Sequence, residues 1–171
     1  MMKKTINPLE YANQVAKKLS TGIFLNTRHG DKENTMTIGW GGVEVIWDLP
    51  MFIVYVKTSR ATYELLDKSK VFSVSVPLDD TLNKALAYCG AHSLKEGDKF
   101  EGARLTPADA RTIDAPIVKE AKLHFECEVV QQLTFDKDLY IESIKGTHKK
   151  SDDYHFVYYG KIVDAYLLKE D

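Results

Sequence analysis

Leu123-His-Phe-Glu-Cys-Glu-Val129 alternates strictly between apolar and polar side chains. Successive side chains of an extended strand point to opposite faces. Period two therefore sets Leu123, Phe125, Cys127 and Val129 against His124, Glu126 and Glu128. The run continues to residue 133, and two other segments read the same way. In Val71-Phe-Ser-Val-Ser-Val76, Phe72, Val74 and Val76 oppose Ser73 and Ser75, and Pro77 ends the strand. In Asn34-Thr-Met-Thr-Ile-Gly-Trp40, the small face of Thr35, Thr37 and Gly39 opposes Met36, Ile38 and Trp40. Residues 22–27, 43–47, 51–56, 139–144 and 155–168 read as further strands, with Gly41-Gly42 as a break and 28–33 as a polar turn. Many short strands joined by short turns imply a mainly β protein, an antiparallel β-barrel with peripheral helices.

The helices are few and locally signalled. Asn7, Pro8 and Glu10 form a capping arrangement with proline at the first helical position. Tyr11, Ala12, Val15, Ala16 and Leu19 then recur at helical spacing, and the helix ends near Ser20. A second helix spans about 80–89, with Leu82, Ala85, Leu86 and Cys89 on one stripe and Gly90 at the C-cap position. Thr106-Pro-Ala-Asp109 reads as the start of a short helix, and Ala115-Pro116 as an extended turn. Residues 91–100 and 148–154 are polar and show no clear period.

Length and composition bound the function. The 171 residues, 44% hydrophobic and 28% charged, fit a single domain over 1–171, and no linker or repeat divides them. A net charge of -2 argues against a nucleic-acid partner. No apolar run is long enough to span a membrane, and the basic start Met-Met-Lys-Lys lacks the apolar stretch of a secretory signal. Two cysteines, Cys89 and Cys127, make no disulfide framework, so a reducing cytoplasm is the expected compartment. The five histidines show no ligand spacing, and no metal site is expected.

The chemistry-bearing stretch is Phe52-Ile-Val-Tyr-Val-Lys-Thr-Ser-Arg-Ala-Thr-Tyr-Glu-Leu-Leu66. A buried strand feeds a helix whose Tyr63, Leu65 and Leu66 face a core, and Thr58, Ser59, Arg60 and Thr62 lie at the junction. Unpaired N–H groups and the macrodipole make a helix start a place to hold an anion, and an arginine adds a fork suited to phosphate. The plainer alternative is an N-cap at Ser59 beside a solvated Arg60. Upstream, Gly39 has no side chain, so backbone amides of its strand are open to a planar ligand. Trp40 and Trp47 either stack on such a ligand or sit in the core. Lys99 and Ser93 either add polar contacts or are solvated surface. Cys89 is either a helix-end thiol of lowered pKa or inert core. There is no Gly-x-Ser-x-Gly, no Gly-x-Gly-x-x-Gly and no Walker lysine.

Together these segments resemble the flavin reductase-like family with an FMN-binding split barrel, in its flavoredoxin-type branch. The resemblance rests on Asn34-Thr-Met-Thr-Ile-Gly-Trp40, Trp47-Asp-Leu-Pro50, Ser59-Arg-Ala-Thr-Tyr-Glu64, Phe72-Ser-Val-Ser-Val-Pro77 and Ser93-Leu-Lys-Glu-Gly-Asp-Lys-Phe100, in that order. Pro116-Ile117, Glu120 and Phe125-Glu-Cys127 complete it, so it runs over about 22–168. Members often carry Ser-Gly-Arg where this chain has Ser93-Leu94-Lys95. The resemblance implies an antiparallel split β-barrel and a homodimer with FMN at or near the subunit interface. It implies backbone contacts to the flavin ring from Met36, Thr37, Ile38, Gly39 and Trp40, and phosphate contacts from Ser59, Arg60 and Thr62. It also sets Cys89, Gly90, Ser93 and Lys99 beside the cofactor. The expected function is a flavin-dependent oxidoreductase of the NAD(P)H:flavin reductase type, with hydride or electrons passing through FMN and no catalytic side chain assigned. The alternatives are an FMN electron carrier serving a protein partner and a barrel that binds a ligand without redox chemistry.

Overall fold

The computed structural model describes residues 2–134 and 155–169. The order is β1 (Met2–Thr5), a 3-10 turn (Pro8–Tyr11), α1 (Ala12–Leu19), β2 (Ile23–His29), β3 (Lys32–Ile38), β4 (Gly41–Ile46), β5 (Leu49–Lys57), α2 (Ala61–Ser69) and β6 (Val71–Val76). Then follow α3 (Asn83–Ala91), a 3-10 turn (Leu94–Glu96), α4 (Lys99–Gly102), β7 (Pro107–Asp109), β8 (Pro116–Val118), β9 (Leu123–Thr134) and β10 (His155–Lys169). The expected strand at 139–144 and loop at 148–154 lie outside the described residues.

One antiparallel sheet runs β3-β2-β6-β9-β10-β5-β4, with β1 also on β10. It is the antiparallel split barrel with peripheral helices that the alternation and resemblance predict: β3 and β4 stand at opposite ends of the pairing path. Its inner face is apolar. Phe52 and Val54 of β5, Phe72 and Val74 of β6, and Leu123, Phe125 and Cys127 of β9 are all fully buried there. Val15 and Leu19 of α1 and Leu66 of α2 pack onto the same cluster. Where β9 crosses β10, the register shifts beside Gly160, and a Cβ there would sit on the Phe72 ring.

The outer face is polar and nonetheless buried. Asn26, Ser73, Ser75, His124 and Glu126 are all 0% exposed. The cover is an arm formed by the β7–β8 ribbon, which pairs Pro107 with Val118 and Ala108 with Ile117. The expected helix at Thr106 is therefore a strand, because pairing with β8 outweighs the local cap signal. Arg28 holds the arm through Asp109 at 3.0 Å and Asp114 at 3.2 Å.

Three other local expectations are corrected. Gly41 and Gly42 belong to β4 rather than breaking the chain, because both pair with β5. Gly90 lies inside α3, which runs on to Ala91 and is capped at His92. The N-cap of α2 is Arg60, not Ser59, and its end carries no side-chain cap hydrogen bond. No helix among the described residues is long and apolar enough to cross a membrane.

Candidate functional site

The site forms where β5 hands over to α2. The Arg60 N–H donates to Lys57 O at 3.0 Å and the Tyr63 N–H to Arg60 O at 2.9 Å. The intervening Ala61 and Thr62 are the first two residues of the helix, whose N–H groups have no partner within a helix. Both residues line a narrow pocket of about 70 Å³. Ser59 and Arg60 form its rim, with Cys89 and Gly90 of α3 and Ser93, Leu94 and Lys99 of the following segment around it. Met36 and Arg60 also belong to a wider cleft of about 360 Å³. That cleft is lined by Met36, Thr37, Ile38, Gly39 and Trp40 on one side and by Tyr55, Lys57 and His155 on the other. Each volume alone is small or moderate. The two adjoin, since Met36 and Arg60 line both, and the wider one alone reaches the volume range of small-molecule sites.

All twelve residues singled out from the sequence line one or the other space. Their roles differ. The Thr37 hydroxyl donates to Leu86 O at 2.6 Å, which fixes α3 against β3 and leaves the backbone at 36–40 to form the cleft wall. Thr62 is fully buried, and its hydroxyl accepts a bond from Asn34 Nδ2 at 2.7 Å. Ser93 Oγ accepts from the Lys95 N–H, and Glu96 Oε2 from the Ser93 N–H, so this loop is self-capped. Cys89 is 1% exposed, and burial pushes its thiol up to about 11, only partly offset by Lys99. The thiol is core, as the apolar stripe indicates. Its carbonyl does more for the site.

That carbonyl receives Lys99. The Lys99 ammonium donates to Cys89 O at 2.8 Å and His92 O at 3.3 Å, both at the C-terminal end of α3. The residue is 4% exposed, contrary to the solvated-surface alternative. Burial first, then the Arg60 cation, push its pKa down to about 8 from 10.5. Among the described residues it has no carboxylate at ion-pair distance. Two cations and an open helix start therefore converge on one small pocket, a donor set suited to a compact anion.

Sequence reasoning missed Asn34, Tyr55, Lys57, His92 and His155. Asn34 shares a strand face with Met36, so period two could have found it. Tyr55 and Lys57 alternate on β5 just before the anion stretch. His155 arrives only through the β10 register, opposite Lys57. Both tryptophans are exposed rather than core: Trp40 is 50% and Trp47 65% accessible. Trp40 stands against His155, with ring centroids 4.8 Å apart, at the wall of the cleft. Trp47 and Asp48 form the β4–β5 turn, both with positive φ, which is uncommon for a bulky residue.

The family model of the flavin reductase like domain matches residues 16–171. The chain belongs to the flavin reductase-like family. A relative from Archaeoglobus fulgidus is 28% identical over 150 residues, covering 86% of this chain and 80% of its own length. The flavoredoxin of Methanosarcina acetivorans is similar at a TM-score of 0.69 and 27% identity, over 86% of this chain and 68% of its own. An FMN-binding domain of a flavin reductases-like enzyme from Shewanella baltica matches at a TM-score of 0.70 over 97% of this chain and 77% of its own. At 13% identity that last likeness concerns the fold alone.

Proposed function

We propose that this flavin reductase-like protein binds FMN and works as an oxidoreductase of the NAD(P)H:flavin reductase type. The observation that carries the reading is the adjacency of two spaces: a pocket lined by Arg60, Lys99 and the start of α2, and a cleft lined by 36–40 that shares Met36 and Arg60 with it. Bound FMN would supply the redox chemistry, taking up hydride or electrons at its N5 and passing them on. The chain supplies the rest. Arg60 and the Ala61 and Thr62 N–H groups hold the phosphate from the rim, and Lys99 neutralises it from behind. Gly39 lines the cleft where a planar ring would lie, and its missing Cβ lets the strand pass close to Leu19 O of α1. Trp40, Tyr55 and His155 shape the wall beside which the electron donor would approach.

The test is direct. Protein as purified should show a flavin absorption spectrum, and the released flavin should be FMN. Arg60→Ala should weaken FMN by about 1.5–3 kcal/mol, the value of a charge-assisted bond, with little effect on riboflavin. Equal losses for both flavins would remove Arg60 from the phosphate site. A colourless protein that takes up no FMN would sink the proposal and favour a non-redox barrel.

The likeness to a flavoredoxin favours a second reading, an FMN electron carrier for a protein partner. Steady-state oxidation of NADH or NADPH separates the two: a carrier holds FMN yet turns over neither nucleotide. We further propose a homodimer. Val45 and Leu49 are exposed on opposite faces of the β4–β5 hairpin and Trp47 is exposed at its turn, an apolar hairpin end beside edge strand β4 that a second copy would clasp. Light scattering on Trp47→Lys against wild type reads this out as a shift towards monomer.

A further inference from the structure

A third space, a groove of about 500 Å³, adjoins the narrow pocket. The pocket shares Met36 and Arg60 with the cleft, and Ala61 and Leu94 with this groove. The cleft and the groove have no lining residue in common. The three spaces therefore lie in a row, with the pocket between the other two.

Three segments build the groove. Ala61, Glu64 and Leu65 are three and four apart on α2, so they form one face of the helix. Asp31 belongs to the tight turn between β2 and β3, where Gly30 takes a left-handed φ of 59°. Leu94 and Lys95 belong to the 3-10 turn after α3. They stand where related sequences often carry Gly-Arg, so Leu94 brings an apolar side chain that a glycine lacks. The lining divides by chemistry. Leu65, 7% exposed, and Leu94 are apolar. Of the carboxylates, Glu33 is taken by Arg28 at 2.8 Å and Asp98 by the cap of α4. Asp31 and Glu64 remain to accept hydrogen bonds. Apolar walls edged by acceptors suit a flat group that carries hydroxyl and N–H donors. They oppose a second terminal phosphate, which only accepts.

The order of the spaces narrows the choice of that group. With a flavin ring in the cleft and its phosphate in the pocket, whatever enters the groove is attached beyond the phosphate. In FAD that is a second phosphate followed by adenosine.

We infer that the protein also accepts FAD, extended along the row, with the adenine against Leu65 and Leu94 and a ribose hydroxyl donating to Glu64. This rests on the FMN reading and widens it to the dinucleotide. Lys95 stands at the same groove as a point charge for the second phosphate. FMN remains the tighter ligand, because its terminal phosphate brings more negative charge to Arg60 and Lys99 than the FAD phosphodiester does.

Titration of the apo-protein with FMN and with FAD, followed by flavin fluorescence, tests this. Wild type should bind FAD within about ten-fold of FMN. Glu64→Ala removes one acceptor and should weaken FAD about ten-fold, with FMN held within about two-fold. Leu94→Ala should lower the affinity for FAD relative to FMN by about ten-fold, the loss of an apolar contact. The ratio is the readout there, because Leu94 also lines the phosphate pocket. Wild type that takes FMN but not FAD overturns the inference. So does an FAD affinity that neither variant moves, since the adenosine then trails in solvent. Equal losses of both flavins on Glu64→Ala would make Glu64 a support of α2, and the inference fails. The adenosine diphosphate of NADH offers the groove the same chemistry from another source. If the variants raise the KM for NADH on FMN-loaded protein and leave FAD binding untouched, the groove belongs to the electron donor and the inference falls. Wild type that binds neither flavin overturns the FMN reading itself.

Discussion

Glu126 and Lys99 are both buried charges, at 0% and 4% exposure, and the protein treats them in opposite ways. The Glu126 carboxylate accepts four hydrogen bonds: from the Arg111 N–H at 2.6 Å, the Thr112 N–H and hydroxyl at 2.7 Å each, and the Tyr166 hydroxyl at 2.8 Å. Burial pulls its pKa up, but these donors more than compensate and hold it below the usual carboxylate range. Lys99 has two carbonyls and no carboxylate among the described residues, so burial wins and its pKa falls. A buried ion that is fully partnered is a fastener. One left short of counter-charge is either a liability or half of a binding site. The two ions predict mutant phenotypes of opposite sign.

The largest effect belongs to Glu126. Glu126→Ala leaves two backbone N–H groups and the Thr112 and Tyr166 hydroxyls without their acceptor and frees the arm from the outer face of β9. Unfolding free energy should drop by about 3–5 kcal/mol in urea titration. Flavin affinity per folded molecule should stay at the wild-type value. A drop below about 1 kcal/mol would mean that the arm holds without it, and the contrast with Lys99 would lose its fastener.

His124, next along the same outer face, sharpens this reading through pH. Its Nε2 lies 2.9 Å from Ala121 O, so Nε2 donates and Nδ1 accepts from the Ser75 hydroxyl at 3.1 Å. Burial pushes its pKa down to about 4. Between about pH 6.5 and 4 the unfolded chain therefore binds a proton that the native protein refuses, and stability falls as pH falls, by up to about 3 kcal/mol. Glu126 acts in the same direction at the acid end, its contribution being lost as pH drops through its depressed native pKa. Unfolding measured at pH 7 and pH 4.5 should show the loss, and His124→Gln should flatten it.

How legible this was in the sequence depends on how local each signal is. The alternation at 71–76 and 123–129 carried the sheet, because period two is a property of neighbours. The junction at Arg60 was legible for the same reason: strand, hydroxyls and helix follow one another along the chain. Glu126 was placed on the correct face, yet its burial was not legible, since the cover comes from an arm whose β7 strand looks like a helix start. Lys99 sits in a stretch without period, and only the fold brings it under the end of α3. Leu94-Lys95 was in view as a departure inside a quoted motif. Its place in one groove with α2 and the β2–β3 turn is a fact of three-dimensional packing that no spacing reveals.

Lys99→Met should behave opposite to Glu126→Ala. Removing an ion that lacks counter-charge while keeping its packing is expected to leave the apo protein as stable as wild type or up to about 2 kcal/mol more so. FMN should bind more weakly by about 1.5–3 kcal/mol and riboflavin as before, in titrations followed by flavin fluorescence. A destabilised apo protein with unchanged FMN affinity would make Lys99 a second fastener and dissolve the contrast.

The smallest effect is the most specific. In the free protein Lys99 loses its proton near pH 8, and a bound phosphate would draw that proton back by raising the pKa. Above about pH 8, FMN binding therefore takes up a proton, and affinity should fall with rising pH by at most about ten-fold per unit, or 1.4 kcal/mol. The phosphate contributes no slope of its own there, since its second pKa lies near 6. Apo stability should move the other way over the same range. From about pH 8 to 10.5 the unfolded chain keeps a proton that the native state sheds, so the cost of burying the charge is progressively relieved. Riboflavin, without phosphate, should show no such slope, and neither should FMN on Lys99→Met. A wild-type FMN affinity that is flat from pH 7 to 9.5 would leave Lys99 without a phosphate to neutralise, and the anion pocket would then rest on Arg60 and the start of α2 alone.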